Sequence, residues 1–153
     1  MELLAQWKFH TWRVARLEKY LADFVADMSN ESEKRADWNI RHNLMAEYAW
    51  LTRVLGQEAD FTIDTTIPLA DIFSTWKKRN QEWETIMQNP PVESVTYQTS
   101  TGETYTNTIA EIVLHLIDHA TYHTGQLNAC LRAAGKKPVD TMYITYCRRK
   151  GSV

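Results

Sequence analysis

The segment TIAEIVLHLIDHATYHTGQLNACLRAAG, residues 108–135, decides the fold because it carries a complete long helix with its own start and stop signals. It opens on a capping-box pattern, in which Thr108 and Glu111 each satisfy a backbone donor of the other. It closes at Gly135, a residue that favours helix ends. Its apolar residues repeat at helical spacing, so the segment predicts a helix that buries one face.

Three segments upstream show the same periodicity. Residues 3–28 carry apolar side chains at alternating steps of four and three, and residues 33–55 form a second helical pattern that stops at Gly56. A third helix follows Pro68 and ends before Pro90. With the quoted segment, these patterns predict an all-α fold arranged as a four-helix bundle.

The connections set the predicted topology. A short turn makes the first two helices antiparallel neighbours, whereas the polar residues 57–66 are long enough for a crossover, so up-down-down-up and simple up-down orders are both open. Residues 92–106 predict a short hairpin-like excursion between helices three and four. The β-prone residues 142–146 are expected to pack over the bundle. We expect a single domain over residues 1–153.

The composition is that of an ordinary globular protein. Hydrophobic residues make up 44% and charged residues 24% of the chain, and the formal net charge is −2. Because no basic run appears, we expect no nucleic-acid partner. No stretch approaches the ~18–20 apolar residues that a membrane span needs. An N-terminus without a signal-peptide core and only two cysteines predict a cytoplasmic protein.

The histidines of the fourth helix point in different directions. At about 100° per residue, His123 falls within the apolar arc and His119 at its edge, whereas His115 projects toward the solvated side. His42 lies at the margin of the second helix's apolar stripe. Three neutral imidazoles from two helices would hold a divalent metal ion and leave a coordination position open, as in catalytic zinc sites. Spacing alone is equally consistent with separate histidines hydrogen-bonded at helix edges.

His10 occupies an apolar seam position of the first helix, so it faces the core as His123 does. Burying an imidazole requires partners for its nitrogens. We therefore expect His10 to line the pocket or to lie in the core, and not to bind the metal. No Gly-rich phosphate loop, serine nucleophile elbow or Cys-x-x-Cys motif offers a rival catalytic site.

Three features together match a known pattern. They are the segment RHNLMAEYAW at residues 41–50 with Gly56 after it, a polar excursion carrying Gly102, and three histidines before the tripeptide GQL at residues 125–127. On these residues the chain resembles the DinB/YfiT-like family of metalloenzymes, and the resemblance covers nearly the whole chain. It implies an up-down-down-up bundle.

The resemblance also implies a metal site. A divalent ion, zinc or nickel first and iron as a further option, would be bound by His42, His119 and His123. Around these ligands we assign His10, His115 and Gln126 to the pocket or to supporting positions. Family members often have arginine directly after the last histidine, where this chain has Thr124. We therefore expect its ligand or dimer contacts to differ.

For function, the resemblance implies a thiol-dependent S-transferase that acts on a small electrophile with a low-molecular-weight thiol such as bacillithiol or mycothiol. A metal-dependent hydrolase is the alternative, and it needs a general acid or base, for which the sequence offers Glu47, Asp118 or His10.

A third reading is a non-enzymatic, metal-binding stress-response protein that acts as a homodimer. Trp12 and Trp50 lie off the apolar stripes of their helices. They would mark a partner surface, or they would pack locally under the loops or the C-terminal segment, and local packing is favoured.

Overall fold

The computed structural model describes residues 2–59 and 61–153, and within them the chain forms five α-helices and a two-stranded antiparallel sheet. In chain order the elements are α1 (Leu3–Leu21), α2 (Glu31–Val54), α3 (Leu69–Gln88), β1 (Ser94–Gln98), β2 (Thr104–Thr108), α4 (Ile109–Ala133) and α5 (Tyr143–Arg149). The fold is therefore mostly helical. No helix in the described ranges combines the length and apolarity that crossing a bilayer requires.

Four long helices position the rest of the chain. α2 packs along α4 and α1 along α3, while α1 also contacts α4 and α2 contacts α3. One cluster of buried apolar side chains lies toward the α1–α2 turn and includes Leu17, Ile40 and Phe73. A second lies beneath the hairpin and includes Trp7 and Trp83. The groove between α2 and α4 runs past both clusters.

The predicted start of the fourth helix is confirmed. The hydroxyl of Thr108 accepts a hydrogen bond from the Glu111 N–H at 3.2 Å, and Glu111 Oε2 accepts one from the Thr108 N–H at 2.8 Å. The hairpin predicted before this helix is also present, with Val95 opposite Asn107 and Tyr97 opposite Tyr105. Because β2 runs directly into α4, the hairpin and the fourth helix hold each other in place.

Two predictions about element type are wrong. The two-stranded sheet means that the fold is not all-α. Met142 is extended, but residues 143–146 lie in the short helix α5 and not in a strand. The rings of Tyr143 and Tyr146 pack on Phe9 of α1, with centroids 5.0 and 5.6 Å away. Packing against α1 thus overrides the β-propensity of this stretch, although the prediction that it covers the helices is confirmed.

The first helix is shorter than its apolar seam predicts. α1 ends at Leu21, not at residue 28. After it, the Asp27 carboxylate accepts hydrogen bonds from the backbone N–H and the hydroxyl of Ser29, at 2.9 and 2.6 Å. Asn30 then caps α2 by accepting from the N–H groups of Ser32 and Glu33. These local side-chain bonds compete with helical backbone bonds, so residues 27–29 do not continue the helix.

Candidate metal centre

Three histidines meet in the groove between α2 and α4. His42 comes from α2, and His119 and His123 come from successive turns of α4. One potential ligand atom of each ring lies within 4.8 Å of those of the other two. The ring centroids are 5.0 Å apart for His42 and His119, 4.5 Å for His42 and His123, and 4.4 Å for His119 and His123. The structure thus brings together the three residues that the sequence singled out.

The donor set fits a divalent ion. Zinc binds imidazole nitrogen at about 2.0–2.1 Å, so two nitrogens at tetrahedral positions around one ion lie roughly 3.3 Å apart. The Nε2 atoms of His42 and His119 are 3.2 Å apart. Among the described residues, the group of three or more His, Cys, Asp or Glu side chains that converges in this way consists of these three imidazoles. Nitrogen ligands of this kind suit zinc, nickel or ferrous iron.

The electrostatics keep these rings neutral. Burial lowers the pKa of His42, and burial followed by repulsion from His42 lowers the pKa of His123. The pKa of His119 falls to about 4, first through burial and then through repulsion from His123, His42 and His115. Near pH 7 all three imidazoles are therefore unprotonated, which is the form that binds metal ions.

Asn39 orients one of the ligands, and sequence reasoning missed it. Its Oδ1 lies 2.8 Å from His123 Nδ1, and both residues are buried. Its Nδ2 donates to the carbonyl of Arg35 at 2.7 Å, which fixes the amide so that oxygen faces the ring. The ring then donates from Nδ1 and leaves Nε2 for the metal. A buried asparagine one turn before His42 was the available signal.

Two aromatic side chains border the cluster. Trp38 stacks on His42 with centroids 4.4 Å apart and ring planes 12° from parallel. Trp38 is 43% exposed, so it covers the cluster from the solvent side. Tyr122 meets His123 edge to face at 5.1 Å. These rings limit rotation of the two imidazoles that they touch.

The three supporting residues predicted from the sequence lie in different surroundings. His115 lies next to the cluster, with its ring 5.6 Å from that of His119. His10, which we expected either in the pocket or in the core, lies in the core, and its Nε2 is 2.8 Å from Glu47 Oε1. Gln126 is half-buried on α4, and no described contact joins it to the three rings.

The candidate acids and bases lie away from the three ligands. Glu47 is buried against His10, and Asp118 is an exposed residue whose charge acts on His115. Among the described residues, no carboxylate joins the histidine group.

The two tryptophans off the apolar stripes pack locally, as the favoured prediction has it. Trp12 is 4% exposed, and its indole N–H donates to the carbonyl of Ser152 at 2.9 Å, so a partner surface at Trp12 is wrong. Trp50 is half-buried and meets Tyr97 of the hairpin edge to face at 4.8 Å. Thr124, the position where relatives often have arginine, is 3% exposed and faces the interior.

A mostly helical fold with three convergent, neutral histidines defines a candidate metalloprotein whose site lies between two helices. A model of the DinB family matches residues 2–150, and the chain therefore belongs to the DinB family. No curated protein matches the chain.

Proposed function

We propose that this chain is a divalent-metal-dependent S-transferase that joins a low-molecular-weight thiol to a small electrophile, on four long helices arranged as an up-down-down-up bundle. The convergence of His42, His119 and His123 carries the metal-binding part of the proposal. The choice of thiol and of transfer chemistry rests on the family resemblance. The homodimer and the cytoplasmic location stay predictions.

The residues of the site suit this chemistry. A divalent ion with three neutral ligands keeps its full charge, and it lowers the pKa of a thiol that binds it. His42, His119 and His123 would hold that ion, and Asn39 keeps Nε2 of His123 directed toward it. Trp38 and Tyr122 shield the rings from water on the solvent side. The electrophile would then reach the thiolate along the groove between α2 and α4.

Acid–base requirements favour thiol transfer over hydrolysis. With the ion bound, a thiol would become the nucleophile without a protein base, and its attack on an alkyl or aryl halide would expel halide ion without a protein acid. Hydrolysis benefits from a positioned acid or base within about 3 Å of the reacting group. Glu47, the buried candidate, is instead paired with His10.

The test has a binding step and a reaction step. Metal content of the purified protein is measured for wild type, His42→Ala, His123→Ala and the neighbouring-residue control His115→Ala. We expect stoichiometric metal in wild type and His115→Ala and none in the other two. Zinc-, nickel- and iron-loaded wild type is then incubated with bacillithiol, mycothiol or glutathione and with alkyl halides, epoxides and activated aryl halides. Absence of metal-dependent conjugation with every thiol would refute the transferase.

A further inference from the structure

A cavity of about 210 Å³ lies between α2, the hairpin and the first turns of α4. Its lining comes from α2, both strands' ends and the first two turns of α4, and consists of Trp50, Tyr97, Asn107, Glu111, Ile112 and His115. His115 joins it to the candidate metal centre, because this ring lines the cavity and lies 5.6 Å from the ring of His119. A molecule in the cavity would therefore lie beside the metal ligands.

The walls of the cavity are aromatic and apolar. Trp50 meets Tyr97 at 4.8 Å and 83°, and it meets His115 at 5.9 Å and 69°, both edge-to-face arrangements. Ile112, only 1% exposed, adds an aliphatic surface. Rings set at such angles present faces and edges that attract a further aromatic ring.

Arg53 contacts two of the aromatic walls, Trp50 and Tyr97. The guanidinium carbon of Arg53 lies 4.8 Å from the centre of the Trp50 ring and 5.1 Å from that of Tyr97. Cation–π contacts of this kind hold both rings in place. The cavity is therefore preorganised, so that a ligand loses little free energy in ordering its walls.

A hydrogen-bonded rim closes the hairpin side. The Tyr97 hydroxyl donates to Asn107 Oδ1 at 2.9 Å, and Asn107 Nδ2 donates to Glu111 Oε2 at 3.3 Å. Hydrogen bonds from the Thr108 backbone, the Asn107 amide and the Thr108 hydroxyl lower the pKa of Glu111, so its carboxylate is ionised at neutral pH. A negative rim disfavours an anionic ligand and accepts a neutral ring or one that carries a hydrogen-bond donor.

The volume limits the size of the ligand. A cavity of about 150 Å³ holds one benzene molecule. At about 210 Å³, this cavity has room for one ring with a small substituent. The substituent would extend along the groove, where His115 leads to His119.

We propose that this cavity binds the single aromatic ring of a neutral benzyl- or aryl-type electrophile and presents its reactive substituent to the metal centre. The substrate class assigned in this way rests on the proposed transferase function. The ring-binding site itself depends only on the walls formed by Trp50, Tyr97 and His115.

An unreactive probe tests the site without thiol or catalysis. Binding of 4-fluorobenzyl alcohol to the full chain is measured by ¹⁹F NMR. Replacing one aromatic wall, in Trp50→Leu or Tyr97→Leu, should weaken binding about twofold to tenfold. His115→Trp, which fills the cavity, should abolish it. The exposed Tyr20 lies outside the groove, so Tyr20→Leu is the matched control and should bind as wild type does. Cyclohexylmethanol should compete less well than benzyl alcohol.

Circular dichroism and thermal unfolding establish that each variant is folded. If Trp50→Leu does not fold, Tyr97→Leu and His115→Trp decide the question. Unchanged binding in the folded variants, or no saturable binding to wild type, would overturn the proposal. Ring binding without conjugation would instead refute the transferase and leave this site standing. Conjugation that shows no preference for aromatic over aliphatic electrophiles would overturn the substrate class alone.

Discussion

The molecule holds two sets of buried or half-buried histidines that differ in their partners. His10 is fully buried, with its Nε2 2.8 Å from Glu47 Oε1 and its ring against those of Trp7 and Trp76 at 4.7 and 6.3 Å. The cluster of His42, His119 and His123 lies in an open groove, where the rings face one another. One set is matched to an acid, and the other meets only neutral partners.

The different partners of His10 and of the cluster indicate that burial alone does not make a histidine a metal ligand. At His10 the carboxylate of Glu47 occupies the side of the ring where an ion would bind, in a close contact that is not aligned as a hydrogen bond. Arg13 lies within electrostatic reach of the same carboxylate, which raises the pKa of Arg13, although burial lowers that pKa more strongly, to about 10. In the cluster, burial and mutual repulsion keep the rings unprotonated, so their nitrogens stay available.

The strongest test of the comparison removes the acid from the core. Glu47→Ala removes the carboxylate that contacts His10 Nε2 and acts on the buried Arg13, and removing one partner of a buried charge pair costs about 3–5 kcal/mol. We expect a loss of this size in the free energy of unfolding, measured by urea titration. The surface pair of Arg79 and Glu82 supplies the control, since Glu82→Ala should change stability by at most about 1 kcal/mol. A loss below about 1 kcal/mol for Glu47→Ala would show that the core tolerates His10 and Arg13 without this carboxylate.

Removing a ligand should affect metal affinity and not the fold. His42→Ala or His123→Ala leaves two imidazoles, and we expect the dissociation constant for zinc to rise more than about 100-fold, beyond the 10–100-fold effect of losing a supporting hydrogen bond. Isothermal titration calorimetry measures this change, and urea unfolding of metal-free His42→Ala, which has no such buried hydrogen bond to lose, should match metal-free wild type within about 1 kcal/mol. Zinc binding of wild-type strength in either variant would contradict the assignment.

Asn39 should have the next largest effect. Asn39→Ala removes the acceptor at 2.8 Å from His123 Nδ1, and we expect zinc affinity to fall about 10–100-fold. Asn39→Asp keeps an acceptor oxygen and should restore most of the affinity. Asn128→Ala removes another side chain–backbone contact of α4, with Val139, and should leave zinc affinity unchanged. If Asn39→Asp binds zinc as weakly as Asn39→Ala, the amide acts through packing and not through the ring nitrogen.

Local sequence signals predicted much of the fold. The capping box of Thr108 and Glu111 is complete within four residues, so the start of α4 could be predicted from the sequence alone. The end of α1 could not, because the apolar seam continues to Met28, whereas the helix ends at Leu21 and Ser29 bonds to Asp27 beyond it. The helical form of α5 depends on Phe9, which lies more than 130 residues away in the chain, so local propensity misled.

The candidate site divides in the same way. His119 and His123 share a helix, so spacing and projection were enough to pair them. His42 comes from a different helix, but its place at the margin of the second apolar stripe made it the third candidate, and the resemblance then selected the same residue. The contacts of Asn39 with His123 and of Glu47 with His10 depend on how α2 is placed against α4 and α1. That register is a property of the packed core, and no single segment encodes it.

Acid should weaken the metal-free protein through the cluster. The pKa of His119 is about 4 in the folded chain and near 6.5 when unfolded, so between these values the unfolded state binds more protons. Stability is therefore expected to fall as the pH drops from about 6.5 toward 4. Unfolding curves of metal-free wild type and His119→Ala across this range measure the effect, and the variant should lose less. The same decline in both would assign the acid sensitivity to other groups.

The smallest expected change concerns Thr124, where relatives often have arginine. Its hydroxyl is buried, and within the described residues Oγ1 has no hydrogen-bond partner. Thr124→Val keeps the shape and removes the unpaired group, so we expect a gain in stability of about 1 kcal/mol and unchanged zinc affinity. Thr124→Arg should instead lower stability, because α4 would carry a charge at a position that is 3% exposed. If Thr124→Val lowered stability by more than about 1 kcal/mol, the hydroxyl would have to bind a partner such as an ordered water molecule. Thr124 would then replace the arginine of the relatives with a hydrogen-bonding group and not with a merely neutral one.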